Sequence, residues 1–167
     1  MIPTELLNRT VNDEVADVLQ PGVLSDGAPP RFFPSMLGIY LRFGSGWYLR
    51  CGTAGEVRGL RIQMLSEVTE STYTPEIANE FAVASLYEIF VTDSFARPCI
   101  SGIRWITQSG SLNDCAILAI EFEFERIRAL SVISQQDGIQ LGGVDAYQYW
   151  LAHQSRRSDW NEHYWEP

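Results

Sequence analysis

From Met36 onward the apolar positions recur every second residue. Leu37, Ile39, Leu41 and Phe43 alternate with Gly38, Tyr40 and Arg42, the spacing of a strand with one face in a core. Gly44-Ser45-Gly46 tolerates the positive φ of a tight hairpin turn. Trp47 to Cys51 returns, Thr53-Ala54-Gly55 turns again, and Val57 to Leu65 makes a third strand. Residues 36–66 therefore read as a three-stranded antiparallel meander. A second unit of this kind is predicted over 101–143. Ile103 to Thr107 is a strand, residues 109–114 a turn, and Cys115 to Glu125 the clearest strand in the chain. Along it Leu118, Ile120, Phe122 and Phe124 point one way, while Glu121, Glu123 and Glu125 point the other. Ile127 to Ser134 pairs back, and Asp137-Gly138 turns toward Ile139 and Leu141.

Elsewhere the period is helical or absent. Leu7, Val11, Val15 and Val18 recur at spacings of four, four and three. This predicts a helix stopped by Pro21-Gly22, with a Pro- and Gly-rich loop over 20–35. Residues 1–35 are thus helix plus loop. Thr74-Pro75-Glu76 combines a hydroxyl cap, a proline at the first helical position and an acid in the first turn, so a helix is expected from Pro75 to about Ala84. Leu86 to Thr92 reads as a strand in preference to a continuation of that helix. Residues 67–100 are then a helix and connector. After Gly142-Gly143, Val144 to His153 reads as a helix, leaving the last 14 residues of 144–167 as a polar, aromatic tail. Shifted by 81 positions, Leu37–Phe43 lies over Leu118–Phe124, and Leu49, Cys51 and Leu60 fall on Leu130, Val132 and Leu141. Two meanders of one design would give this match; so would chance resemblance between alternating strands. The predicted fold is α+β: a mostly antiparallel sheet in two meander-like units, packed with two or three helices.

The composition fits one domain over 1–167. A chain of 167 residues is close to the usual domain size and buries roughly 70% of its unfolded surface without needing a staple. No apolar run approaches the ~20 residues of a membrane-spanning helix. Residues 1–9 lack a basic stretch followed by an apolar core, which predicts a cytoplasmic protein. Cys51, Cys99 and Cys115 are widely spaced, odd in number and set among apolar residues. They are expected to be reduced and mostly buried, and they offer neither a zinc knuckle nor a redox pair.

Twelve arginines and no lysine exclude Schiff-base chemistry, a P-loop lysine and a lysine general base. Net charge is −9 and uneven. Residues 36–65 set Arg42, Arg50, Arg58 and Arg61 against Glu56 alone, whereas residues 66–125 set ten acids against Arg97 and Arg104. Such acidity repels a phosphate backbone, so nucleic acid is not an expected partner, while a basic protein is steered toward it.

Candidate chemistry is sparse. Glu121, Glu123 and Glu125, about 6.5–7 Å apart along one strand face, form a solvated face or a contact for a basic partner rather than a metal site. His153 and His163 match no metal template, and a Cys-His dyad would need one of them to fold back against Cys51, Cys99 or Cys115. There is no nucleophile elbow and no Gly-rich phosphate loop. The tail concentrates Trp160, Tyr164 and Trp165 among acids. Such aromatics either anchor a partner or cover the edges of their own core. No catalytic, cofactor-binding or metal residue is assigned. In size and acidic composition the chain resembles the small acidic immunity proteins of bacteria, a resemblance that carries over no residues. The expected function is that of a non-enzymatic protein masking a basic partner, such as an immunity protein or antitoxin acting on a toxin. Its predicted contact residues are Glu121, Glu123, Glu125, Trp160, Tyr164 and Trp165. The alternative is a small enzyme or ligand-binding domain with a site assembled from distant residues.

Overall fold

A computed structural model of the chain describes residues 2–55, 59–68, 80–91, 98–108, 116–124, 128–154 and 159–166. Among these, the first half runs α1 (Thr4–Val11), β1 (Val15–Leu24), β2 (Phe32–Pro34), β3 (Gly38–Phe43), β4 (Tyr48–Thr53), β5 (Leu60–Leu65) and β6 (Glu80–Ser85). The second runs α2 (Tyr87–Phe90), β7 (Ile100–Gln108), β8 (Ile117–Phe124), β9 (Arg128–Gln135), β10 (Gly138–Gly142), α3 (Ala146–Gln154) and β11 (Trp160–Trp165). Every strand pairing is antiparallel, and the order is β10-β9-β8-β5-β4-β3-β1-β2, with β6 on β1, β7 on β8 and β11 on β7. The α+β fold, with its two meanders and three helices, is the one expected.

The two halves share one register. Ile39↔Cys51, Tyr40↔Arg50 and Leu41↔Leu49 of β3–β4 recur, 81 positions on, as Ile120↔Val132, Glu121↔Ser131 and Phe122↔Leu130 of β8–β9. The pairing of β1 with β3 recurs in β7 with β8: Val15↔Phe43 and Val18↔Leu41 match Ile100↔Phe124 and Ile103↔Phe122. Even the irregularity is repeated, between Val15 and Asp17 in one half and Ile100 and Gly102 in the other. The match seen in sequence is therefore a structural repeat in register.

The repeat closes on itself. β5 meets β8 at Leu60↔Ile117, and the start of β1 meets the start of β7 through the bridge Glu14↔Cys99. The circuit β1-β3-β4-β5-β8-β7 encloses one core to which both halves contribute matching residues: Ile39 and Ile120, Leu41 and Phe122, Phe43 and Phe124, Leu49 and Leu130. Each such side chain contributes about 1.5–3 kcal/mol on burial. α1 and α2 cover this core, and α3 packs on the outside of β8, β9 and β10 over a second cluster of Ile106, Leu118, Ala119, Ile133, Tyr147 and Trp150.

Several expectations are corrected. The first helix stops at Val11, and Val15–Leu24 is a strand. Val15 and Val18 both reach the core because the irregularity between Val15 and Asp17 adds one residue, so a bulged strand imitates helical spacing. Pro21 and Gly22 lie within this strand instead of ending a helix. The Pro21 carbonyl accepts from Ser35 N–H at 2.7 Å, and its missing donor faces the same side, where β1 passes from β3 to β2. A Cβ on Gly22 would stand 2.3 Å from the Phe33 carbonyl oxygen, which only glycine avoids. Residues 20–35 hold the end of β1 and β2, and are not all loop.

Of the helix expected over 75–84, residues 75–79 lie outside the described residues, and Glu80–Ser85 is a strand paired along Leu19–Leu24. Tyr87–Phe90 is a helical turn, not a strand. Leu86, Tyr87, Phe90 and Val91 face the core together, leaving Glu88 and Ile89 exposed. Leu118 leaves the face of Ile120 because β8 carries an extra residue opposite Ile106–Thr107. The terminal segment, read only as a polar, aromatic tail, is a strand paired on β7.

Candidate functional site

The outer face of the second half gathers the acidic side chains. Arg104 of β7 stands opposite Glu121 of β8 and Tyr164 of β11. Its Nη2 pairs with Glu123 Oε1 at 2.6 Å, and its guanidinium lies 5.0 Å from the Tyr164 ring centroid. The Tyr164 hydroxyl reaches Glu166 Oε1 at 2.8 Å and Glu123 Oε2 at 3.2 Å. Donation to Glu166, first, and the neighbouring Glu123 push its pKa up to about 12.

Glu121 is not solvated. α3 covers it, leaving 4% exposed, and Ser131 Oγ donates to its Oε2 at 3.1 Å. Burial lifts its pKa above the usual carboxylate value against the opposing pull of Ser131 and Arg104. Tyr147 of α3, also buried, donates to Glu162 Oε1 at 3.4 Å; burial first, then Glu162 and Glu121, raise its pKa.

The six residues expected to meet a partner therefore divide. Glu121, Glu123 and Tyr164 come together on this face, with Tyr164 48% exposed. Trp160 belongs to the same face, half-buried and stacked on Trp150 at 5.1 Å. Trp165 turns the other way and packs against the main core. Glu125 lies outside the described residues. The reading of the glutamates as one solvated ladder fails at Glu121, because sequence does not show which face α3 covers. Glu162 and Glu166, exposed beside Tyr164, join the group instead. Both histidines have partners among the described residues. His163 Nε2 lies 2.8 Å from Thr107 Oγ1 and its ring stacks on Trp105, while His153 Nδ1 lies 2.8 Å from the Tyr149 carbonyl. No group of metal-ligating side chains assembles among the described residues.

The corresponding face of the first half differs. Where Ala119 and Ile133 pack beneath α3, the matching positions are Gly38 and Gly52. The Arg50 side chain fills that space: a Cβ on Gly52 would stand 2.6 Å from its Cζ. An open cleft of about 430 Å³ follows, lined by Leu37, Arg50, Thr53, Gly55, Arg61 and Gln63. Sequence reasoning missed it, although the surplus of arginine over 36–65 was its signal. No family model, curated protein or solved structure matches the chain.

Proposed function

We propose that this chain is a non-enzymatic binding protein that takes a basic protein partner on the outer face of β11, β7 and β8. In its concrete form it is a cytoplasmic inhibitor, such as an immunity protein or antitoxin, that masks a toxin. The observation that carries the reading is the exposed Tyr164 among Glu123, Glu162 and Glu166, with Arg104 already paired to Glu123. An aromatic anchor ringed by acids suits an arginine- or lysine-rich surface, since tyrosine is enriched at binding hot spots and acids steer the encounter. Buried Glu121 and the stacked Trp160 hold this face in shape. No helix among the described residues is long and apolar enough to cross a membrane.

The test begins with co-purification from the native host and mass spectrometry. Association and dissociation rates are then measured between about 0.05 and 0.5 M salt, across which the Debye length shrinks several-fold. Glu162→Gln with Glu166→Gln is expected to slow association and flatten its salt dependence. Tyr164→Ala is expected to speed dissociation, at a cost of ~2 kcal/mol. Affinity indifferent to salt and to all three substitutions would sink the reading. A second reading, a small-ligand-binding domain, is favoured by the arginine-lined cleft of the first half.

A further inference from the structure

The ion pairs among the described residues are Arg42–Asp17 and Arg104–Glu123; Arg50 and Arg61 belong to neither. Arg50 is 92% removed from solvent, being 8% exposed, and a guanidinium so buried ordinarily has a carboxylate to meet it. Instead its Nη1 donates to Gln63 Oε1 at 3.0 Å, a neutral acceptor, and no group among the described residues accepts from its buried Nε. Register adds a second cation. Arg61 stands opposite Gly52, over which the Arg50 guanidinium lies, so two positive groups occupy neighbouring positions across β4 and β5. Like charges so placed repel.

We propose that this cleft binds a small-molecule oxyanion, a phosphate or carboxylate group, between Arg50 and Arg61. Arg50 is the pre-set fork, held over Gly52 and oriented by Gln63; guanidinium matches oxyanions through two parallel hydrogen bonds. Exposed Arg61 closes on the ligand from the solvent side, and Leu37 supplies apolar contact. A volume of about 430 Å³ is in the range of small-molecule sites. A nucleic acid is disfavoured, because the chain as a whole carries −9.

Calorimetric titration of the full chain with inorganic phosphate and, separately, succinate at constant ionic strength tests the site. Saturable one-site binding is expected, and the tighter probe tells which oxyanion the cleft prefers. Arg61→Ala and Arg50→Lys, which keeps the charge but loses the fork, should each weaken binding by at least about tenfold, the loss of one charge-assisted contact. Arg42→Ala, outside the cleft, should leave it unchanged. If Arg50→Lys does not fold, Arg61→Ala decides alone, since that side chain is exposed. No saturable heat for either probe in the millimolar range, or undiminished binding by folded Arg61→Ala, would overturn the proposal. None of these substitutions touches the face of Tyr164, so the outcome is separate from that of the partner experiment.

Discussion

If one core serves both halves, damage to either half must destabilise the whole. Leu41 and Phe122 occupy equivalent positions, are 0% and 1% exposed, and meet in the same cluster. Truncating a buried Leu to Ala costs ~2–5 kcal/mol, and a buried Phe to Ala ~3–5 kcal/mol, according to how far the cavity collapses. For a chain of this length each kcal/mol moves the midpoint by about 2–4 °C, so Phe122→Ala should lower it by roughly 6–20 °C. Leu41→Ala should fall in an overlapping range. Thermal unfolding followed by far-UV circular dichroism and by tryptophan emission is the assay, because Trp47 alone among five tryptophans precedes residue 100. Both variants are expected to show one transition, coincident by the two probes. Two separated transitions in either variant, or a Phe122→Ala effect on tryptophan emission without a matching shift in circular dichroism, would refute a shared core.

Glu121→Gln tests the buried carboxylate. Its folded pKa is raised, so its stabilising contribution is full below the unfolded value and drains away as pH rises through the folded one. The variant, which still accepts from Ser131, should melt higher than the parent at about pH 8 and lose that advantage toward about pH 4. Asp13 behaves in the opposite sense. Burial works to raise its pKa, but hydrogen bonds from Ser45 and from Trp47 Nε1, the latter 2.8 Å away, outweigh it and hold the pKa low. Its contribution is therefore present above the unfolded value and lost as pH falls, and Asp13→Asn should cost about 1–2 kcal/mol near neutrality and less in acid, read by urea midpoints. Cys51 is wholly buried, and burial pushes its thiol up to about 12, so a thiol reagent should label it only as fast as the chain unfolds.

The segments legible in sequence are those where one rule acts alone. Strands 38–43 and 119–124 alternate, Gly44 and Gly46 mark the turn after the first, and 146–154 follows a clear break. Legibility failed where a bulge intervened. One extra residue gave Val15 and Val18 the spacing of a helix, and another moved Leu118 to the opposite face from Ile120. It failed again at β6 and β11, whose strand state depends on long-range pairing with β1 and β7 rather than on local preference. At the candidate sites, residue types were legible but cover was not. Alternation places Glu121 on the outer face, yet only tertiary packing over that face makes the position buried. The arginine surplus over 36–65 was visible in composition, but the glycine pair that receives Arg50 becomes meaningful only once β3 and β4 are in register.

The repeat explains where specialisation could occur. Inner-face residues must interdigitate with those of the other half, so equivalents there stay apolar and similar in size: Ile39 and Ile120, Leu49 and Leu130. Outer-face residues answer to no such constraint, and there the halves diverge at equivalent positions. Arg42 matches Glu123, Arg50 matches Ser131, and Tyr40 matches Glu121. In the second half larger side chains at 119 and 133 bring down a helix, and acids gather at its margin. In the first, glycines at 38 and 52 leave room for a buried guanidinium and an open cleft. Opposite charge on matching faces places an acidic surface and a basic cleft in one molecule, each backed by the same core. A substitution confined to one outer face should therefore alter one kind of binding and leave the other intact, whereas a core substitution such as Phe122→Ala should weaken both through stability alone.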